Sequence, residues 1–258
     1  MTATGHVSDE APCRTMHELL RKRLAANELI TTADAAACGI GHHALARLVR
    51  SGLLHRLRRG AFVDPETWKS RTPEQRHLLR CRATLPHHAD GALSHTSAMV
   101  AHGLAVFSVD LDVIHLSRTG GTRRGRQGGV QIHPALPSGA FTTAAGLPAC
   151  TAAVAALQVA DWHGPRAGMV AAESALHHGA CTSADLGRAR DLVRLGRGRA
   201  HADLVVDLAG PLSESPGETL TRLLLHTIGL PAPQQQARVA LADGRTARVD
   251  SCCPSGTS

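Results

Sequence analysis

The sequence predicts an α+β protein that is mainly helical. Apolar residues recur at helical spacing along most of the 258 residues, in Ala-rich stretches separated by Gly and Pro. Alternation of apolar and polar residues is confined to a few short runs beside Gly, which is typical of β-hairpins. These patterns predict three regions, 14–68, 73–210 and 213–258.

Composition excludes several classes of protein. With 43% hydrophobic and 19% charged residues the chain is not disordered. No stretch approaches the roughly 18 apolar residues of a membrane span, and the first residues lack an apolar signal core, so a cytoplasmic protein without a membrane partner is expected. Only 2% of the residues are aromatic, which argues against single-stranded nucleic acid as the ligand because base-stacking platforms are scarce.

Cysteine and histidine patterns give no sign of a metal. The seven cysteines lack CxxC spacing, which favours reduced, mostly buried thiols over a disulfide framework or a zinc ribbon. The 17 histidines include adjacent pairs, but adjacent residues point to different sides of a helix, and no HExxH motif is present. The sequence therefore predicts no metal site and no cofactor.

The positive charge is concentrated in two windows. Only Lys22 and Lys69 are lysines among the 28 basic residues, so arginine carries the charge. No acid occurs between Asp34 and Asp64, where there are five arginines, or between Asp112 and Asp161, where there are four. These nine charges exceed the net charge of +7, so the rest of the chain is slightly acidic. Local basicity is expected of a surface that meets a polyanion, although a solvated charge run is the alternative.

The first region predicts two short helices joined by a tight turn, after a helix over 14–28. Thr31 or Thr32 can cap an Ala-rich helix that Gly39 ends. A second helix runs from about Gly41 to Ser51, and Gly52 closes it. On this helix one face packs, formed by Leu45, Leu48 and Val49, and the opposite face is formed by His43, Ala46, Arg47 and Arg50. These are the proportions of a helix-turn-helix whose second helix reads bases in the major groove.

A basic hairpin follows the second helix. Two strand-like runs, Leu54–Leu57 and Ala61–Val63, turn at Arg59 and Gly60, where glycine can supply a positive φ. Such a hairpin is typical of a wing, whose arginines would lie along phosphates: Arg56, Arg58 and Arg59. The region is thus predicted to be a winged helix-turn-helix that binds double-stranded DNA. A helical hairpin that only packs on the rest of the chain is the alternative.

The middle region predicts helices and one long-tipped hairpin. Helices are expected over 73–85, from Ser94, and over 151–160, 166–178, 182–195 and 202–209. The runs 112–118 and 130–136 alternate and flank a Gly-rich loop, so they are expected to pair as a hairpin. The tip of this hairpin carries three arginines, Arg123, Arg124 and Arg126, which could form a second set of phosphate contacts. A solvated loop without a ligand is the alternative. No GK[ST] motif is present, so the loop is not a P-loop.

The stretch from Ile30 to Pro65, with GIGHHALARLVRSGLLHRLRRGAFV at its centre, resembles the winged-helix domain of AbiEi-type antitoxins of type IV toxin–antitoxin systems. The run GLPACTAAVAALQVADW resembles the helical middle region of these regulators. The resemblance implies a transcriptional regulator that represses its own operon. It also implies a nucleotidyltransferase toxin as a partner. A palindromic operator would imply paired copies on DNA, and the oligomeric state is left open.

The last region predicts a capped helix from Glu218 to about Thr227, followed by strands over 236–241 and 246–250 that turn at Asp243-Gly244. It resembles the start of an endonuclease domain related to very-short-patch-repair enzymes, in the PD-(D/E)xK superfamily. The resemblance implies that this region is an incomplete α/β nuclease-like segment. The resemblance matches Glu218 and Asp250 to catalytic acids of that family. The second acidic ligand and the lysine are lacking, so no nuclease or other enzyme activity is expected. A DNA endonuclease, truncated and inactive here, is the alternative function.

Overall fold

The computed structural model describes residues 10–121, 124–231, 233–240 and 245–252. They form two compact units, 1–86 and 87–258. The helix predicted at the start of the middle region belongs to the first unit, and the segment from 213 onward belongs to the second. Among the described residues, no helix is both long and apolar enough to cross a membrane.

The first unit contains five helices and three strands in its described part. They are α1 (Glu10–Ala26), β1 (Ile30–Thr31), α2 (Thr32–Ala37), α3 (His42–Arg50), β2 (His55–Arg58), β3 (Ala61–Val63), α4 (Pro65–Ser70) and α5 (Pro73–Thr84). The strands form one antiparallel sheet in the order β1-β3-β2. Helices α2 and α3 with the β2-β3 hairpin are the predicted winged helix-turn-helix. The short strand β1, which completes the sheet, has no sequence signal of its own.

Local chemistry defines the ends of these elements. Thr31 caps α2 in a capping box, because its hydroxyl accepts a bond from the backbone N–H of Asp34 and the Asp34 carboxylate accepts one from the backbone N–H of Thr31. Gly39 and Gly52 follow α2 and α3 with φ of 76° and 74°, the left-handed conformation that glycine adopts without strain. The start of α2 and the ends of α2 and α3 are therefore determined by residues that the sequence singled out.

A small apolar core holds the first unit together. It contains the buried residues Leu20, Ile30, Ala35, Ile40, Leu45, Leu48, Leu54 and Phe62. These come from α1, β1, α2, α3 and the wing, so every element of the motif contributes at least one side chain. Burying a Leu or Ile side chain stabilises by about 1.5–3 kcal/mol, which fixes the position of α3 in this unit.

The second unit contains a six-stranded sheet, a set of helices and a separate two-stranded hairpin in its described part. Its elements are β4 (Gly91–Leu93), α6 (His95–Ala101), β5 (Ile114–Arg118), β6 (Gly125–Gln127), β7 (Val130–His133), β8 (Phe141–Ala144), β9 (Leu147–Cys150), α7 (Ala152–His163), α8 (Pro165–His177), α9 (Ser183–Leu192), α10 (Arg199–Leu208), α11 (Pro216–Thr227), β10 (Gln234–Ala240) and β11 (Thr246–Cys252). The strand order of the large sheet is β6-β7-β5-β4-β9-β8.

The hairpin predicted from 112–118 and 130–136 is wrong. Strands β5 and β7 lie parallel, with Ile114 opposite Val130 and Ser117 opposite His133. The antiparallel partner of β7 is the short β6, which turns into it at Gly128 and Gly129. Alternation predicts a strand and its buried face, but it carries no information on strand direction, and the glycines after β5 allow a crossover as easily as a turn.

Helices α7 and α8 form the apolar centre of this unit. Residues 152–160 of α7 are all buried, and so are residues 167–173 of α8. The two helices approach so closely that a Cβ on Gly168 would lie 2.3 Å from the Cβ of Ala160. Small residues therefore permit the contact, as the Ala-rich sequence of α7 suggests.

The predicted C-terminal helix and hairpin are present. Strands β10 and β11 pair antiparallel from Gln234 with Cys252 to Ala240 with Thr246. The Asp243-Gly244 turn lies outside the described residues. Gln235 donates to the Ser213 hydroxyl at 2.9 Å, which ties the hairpin to the loop before α11.

Candidate nucleic-acid interface

Helix α3 divides into a packed face and an exposed face, as predicted. Leu45 and Leu48 are buried in the core, whereas His43, Arg47 and Arg50 are exposed. The exposed Ala46 lies between them on the sequence, and its small side chain leaves room for close approach of a groove wall. A helix anchored by leucines and presenting basic and small residues outward can enter the major groove of duplex DNA.

Some arginines of the first unit already have partners within the protein, and others have none in the part of the chain that the structure describes. Arg71 and Arg82 both pair with the Glu28 carboxylate, and the Arg76 guanidinium lies 5.3 Å from the Trp68 ring centroid. These side chains stabilise the unit itself.

By contrast, among the described residues no carboxylate lies within salt-bridge distance of three exposed arginines on α3 and the wing, Arg47, Arg50 and Arg59. Their charge is therefore available to a ligand. A polyanion that meets this face does not have to displace an existing ion pair.

The wing is a tight hairpin held against the start of α2. Gly60 has a φ of 84°, which the turn requires. The Gly60 carbonyl accepts a hydrogen bond of 3.0 Å from the backbone N–H of Thr32. Strand β2 carries a bulge, since Arg56 lies opposite Phe62 and Arg58 opposite Ala61.

The three wing arginines are in different environments. Arg56 and Arg59 are exposed. Arg58 is half-buried, and its Nη1 donates to the carbonyl oxygens of Ala83 at 3.3 Å and Thr84 at 3.5 Å. A phosphate contact by Arg58 would therefore compete with hydrogen bonds at the end of α5. Sequence reasoning grouped it with the other two because α5 lies 25 residues further along the chain.

The acids that flank the first basic window are both engaged as helix caps. Asp34 caps α2 and also accepts from Arg23 at 3.1 Å. Hydrogen bonds from the backbone and hydroxyl of Thr31 lower the pKa of the Asp34 carboxyl, with Arg23 adding to the effect. The Asp64 carboxylate accepts from the backbone N–H of Thr67 at 2.8 Å and caps α4. Both carboxylates are thus engaged in helix caps, and the Asp34 cap lies beside the wing, since Thr31 pairs with Ala61 and Thr32 donates to the Gly60 carbonyl.

The second basic window presents exposed arginines in the second unit. Arg124 and Arg126 are exposed, and Arg123 lies outside the described residues. Arg126 belongs to β6, an edge strand of the sheet, where a charge also discourages pairing with other chains. Arg118 is not free, since it pairs with Asp90.

Glu218 has a structural role at the start of α11. Its carboxylate accepts from the Ser215 hydroxyl at 2.7 Å and from the backbone N–H of Glu214 at 3.1 Å. Ser215 in turn accepts from the backbone N–H of Glu218 at 3.3 Å, so the two residues cap the helix. The side chain of Asp250 lies outside the described residues. The nuclease resemblance receives no support.

One group of three metal-capable side chains occurs among the described residues, in the second unit: His95, His115 and His133. All three are buried, and their ligand atoms lie within 4.8 Å of one another. Sequence spacing missed the group because the residues come from α6, β5 and β7. The sequence did contain a signal. In both alternating runs, DVIHLSR and VQIHPAL, a histidine directly follows an isoleucine, which places the two histidines at equivalent positions of two predicted strands.

Comparisons with known proteins support the N-terminal assignment. A family model described as a transcriptional regulator, AbiEi antitoxin, matches residues 18–63, which span α2, α3 and the wing. No curated protein matches the chain. The crystal structure of the Rv2827c protein from Mycobacterium tuberculosis is similar over 89% of this chain and 88% of that one, at 16% identity and a TM-score of 0.44.

Proposed function

We propose that the protein is a sequence-specific, double-stranded-DNA-binding transcriptional regulator of the antitoxin type. The observation that carries the proposal is the surface made by α3 and the wing tip, elements that contain no acidic residue and on which Arg47, Arg50 and Arg59 are exposed and unpaired among the described residues. The family match over residues 18–63 supports the same role.

In this proposal α3 reads bases and the wing positions it. Arg47 and Arg50 reach base edges from the exposed face of α3, and a guanidinium can donate to both O6 and N7 of guanine. His43 lies near the start of the helix, where a recognition helix contacts bases. Arg59 and Arg56 contact phosphates, which adds affinity that depends on salt but not on sequence.

The regulatory context of this proposal rests on the resemblance to AbiEi-type antitoxins. The protein represses its own operon in the cytoplasm, and its second unit binds a nucleotidyltransferase toxin encoded beside it. Arg124 and Arg126 supply a second set of phosphate contacts. The chain acts by binding, without catalytic activity. Two copies bind a palindromic operator, because half-sites one helical turn apart match a twofold pair of recognition helices.

A binding and footprinting titration on the DNA upstream of the coding sequence tests the proposal. Wild-type protein is expected to protect a discrete site in the presence of excess nonspecific competitor DNA. Joint replacement of Arg47 and Arg50 by alanine abolishes that protection and leaves the circular dichroism spectrum unchanged. Arg188→Ala, which removes one exposed charge from α9 of the second unit, is the control and keeps the footprint. A wild-type protein that protects no site, or a double variant that protects the same site equally well, contradicts the proposal.

A further inference from the structure

Three imidazoles meet in the second unit, each supplied by a different element. His95 is the first residue of α6, His115 lies on β5 and His133 on β7. The parallel pairing of β5 and β7 aligns His115 with Gln131 and Ser117 with His133, so both histidines lie on one face of the sheet. The backbone N–H of Ser94 donates to the His115 carbonyl at 3.0 Å, which brings the start of α6 to the same place.

The separations suit one transition-metal ion. Bonds of about 2.0–2.1 Å from Zn²⁺ to imidazole nitrogen place tetrahedral ligand atoms about 3.3 Å apart. His115 Nδ1 and His133 Nε2 are 2.9 Å apart. All three ligand atoms lie within 4.8 Å of one another, a spread that one ion spans once the stacked rings of His95 and His133 turn so that their in-plane lone pairs converge. Three histidines also form the protein ligand set of known zinc sites that keep one position for water.

A shell of buried polar groups holds the ring of His95 and the backbone segments that carry the histidines. His95 Nδ1 is 3.1 Å from the Ser94 hydroxyl, an outer contact of the kind that orients metal-bound histidine. The backbone N–H of His95 donates to Gln158 Oε1 at 3.1 Å, and Gln158 Nε2 donates to the Ser117 hydroxyl at 3.2 Å. Gln158 is itself only 3% exposed. His95 has a φ of 48°, a left-handed conformation that costs energy for a residue with a Cβ and is held here by these bonds.

Burial keeps two of the three imidazoles, those of His95 and His133, in the form that binds metal. Desolvation lowers the pKa of His133 to about 4 and that of His95 well below its ordinary value, with the neighbouring histidines adding to the effect on His95. Neutral imidazole is the ligand form, because a proton occupies the lone pair that the metal needs. No carboxylate belongs to the group, which distinguishes it from a buried ion pair.

The indole of Trp162 covers the group. Its ring stands edge-on to all three imidazoles, with centroid distances of 5.9 Å to His95, 5.8 Å to His115 and 5.0 Å to His133. Trp162 is 51% exposed, so the imidazoles lie about one ring below the surface of the unit.

We propose that His95, His115 and His133 form a binding site for one borderline divalent transition-metal ion, Zn²⁺ being the expected occupant. Imidazole nitrogen suits Zn²⁺, Cu²⁺ and Ni²⁺ and disfavours Mg²⁺ and Ca²⁺. Water or a small anion completes the tetrahedron. Without metal, His115 and His133 share one proton in a hydrogen bond and His95 stacks on His133 with centroids 3.7 Å apart. A purely structural histidine stack is the competing explanation.

Metal titration of the full chain distinguishes the two. After treatment with a chelator and its removal, Zn²⁺ is titrated against a chromophoric competitor. One tight equivalent per chain is expected, and His133→Gln weakens it by at least about 100-fold, beyond the 10–100-fold typical of losing an outer-shell contact. His177→Ala, which removes an exposed histidine from an adjacent pair on α8, is the matched control and leaves the tight equivalent unchanged.

Two spectroscopic readouts leave all three histidines in place. Co²⁺ bound to the wild-type chain gives the intense visible bands of tetrahedral coordination, and Mg²⁺ does not displace it. In a Trp68→Phe background, where Trp162 is the remaining tryptophan, Co²⁺ or Cu²⁺ quenches the fluorescence with the same stoichiometry. Zinc binding that is weak and equally lost in His177→Ala, an octahedral Co²⁺ spectrum, or unquenched Trp162 would overturn the site.

Discussion

Separate replacement of Arg59 and Arg58 by alanine distinguishes a DNA contact from a contact that stabilises the wing. The two residues are neighbours with the same side chain. Arg59 is exposed at the wing tip, and Arg58 donates to the carbonyls of Ala83 and Thr84 at the end of α5. Arg59→Ala is therefore expected to change binding, and Arg58→Ala to change stability.

The magnitudes follow from these contacts. Loss of one phosphate contact reduces the slope of log K against log salt by about 0.9. When salt is raised from 50 to 200 mM, the affinities of both proteins fall. The fold-loss of affinity for Arg59→Ala should be about 3.5 times smaller than the fold-loss for the wild type. A hydrogen bond to a charged group contributes about 1.5–3 kcal/mol, and the length of the Arg58 bonds favours a value near 1 kcal/mol. For a unit of this size, that lowers the melting temperature by about 4–8 °C.

Fluorescence anisotropy with a labelled upstream duplex at four salt concentrations measures the slope, and calorimetry or circular dichroism measures melting. Arg59→Ala should flatten the slope without a change in melting. Arg58→Ala should lower the melting temperature and keep a slope closer to that of the wild type. The assignment is refuted if Arg58→Ala flattens the slope fully at unchanged stability while Arg59→Ala leaves the slope intact.

Three further predictions concern the second unit. Gly168→Ala should destabilise it by about 1–3 kcal/mol in urea unfolding, because the added Cβ would lie 2.3 Å from that of Ala160; unchanged stability would contradict the close packing of α7 and α8. Arg222→Met should cost about 3–5 kcal/mol, since it leaves the buried Glu173 carboxylate without its charged partner; adding Glu173→Leu should recover most of that loss, and no recovery would show that the pair is not the cause. Burial raises the pKa of Cys150 to about 12, so mass-spectrometric mapping should find this thiol alkylated only after unfolding, and rapid alkylation in the native state would contradict its burial.

The winged helix was predictable because its signals are local. The cap at Thr31, the glycines after each short helix and the leucine face of α3 each act within a few residues, and all agree with the final packing. The exposure of Arg47 and Arg50 follows from helical geometry alone. What remained out of reach was the bond from Arg58 to the end of α5, since its partner carbonyls carry no side-chain signature.

The second unit was harder to predict because its determinants are distant in sequence. The directions of β5 and β7 depend on a crossover whose glycines are equally compatible with a turn. Strand β6 has the sequence Gly-Arg-Gln, without an apolar residue, and it exists because the edge of β7 needs a partner. The histidine group is a product of that same sheet register, so a search by ligand spacing along the chain could not find it.

The base preference of an Arg47→Ala variant tests the central claim most directly. The measurement is the ratio of dissociation constants for the upstream site and for a scrambled duplex of the same length, at one salt concentration. Wild-type protein should prefer its own site, and Arg47→Ala should lower that preference by about 1–3 kcal/mol, roughly 5- to 150-fold, with nearly unchanged affinity for the scrambled duplex. An unchanged ratio, or an equal loss of affinity for both duplexes, would contradict base reading by α3.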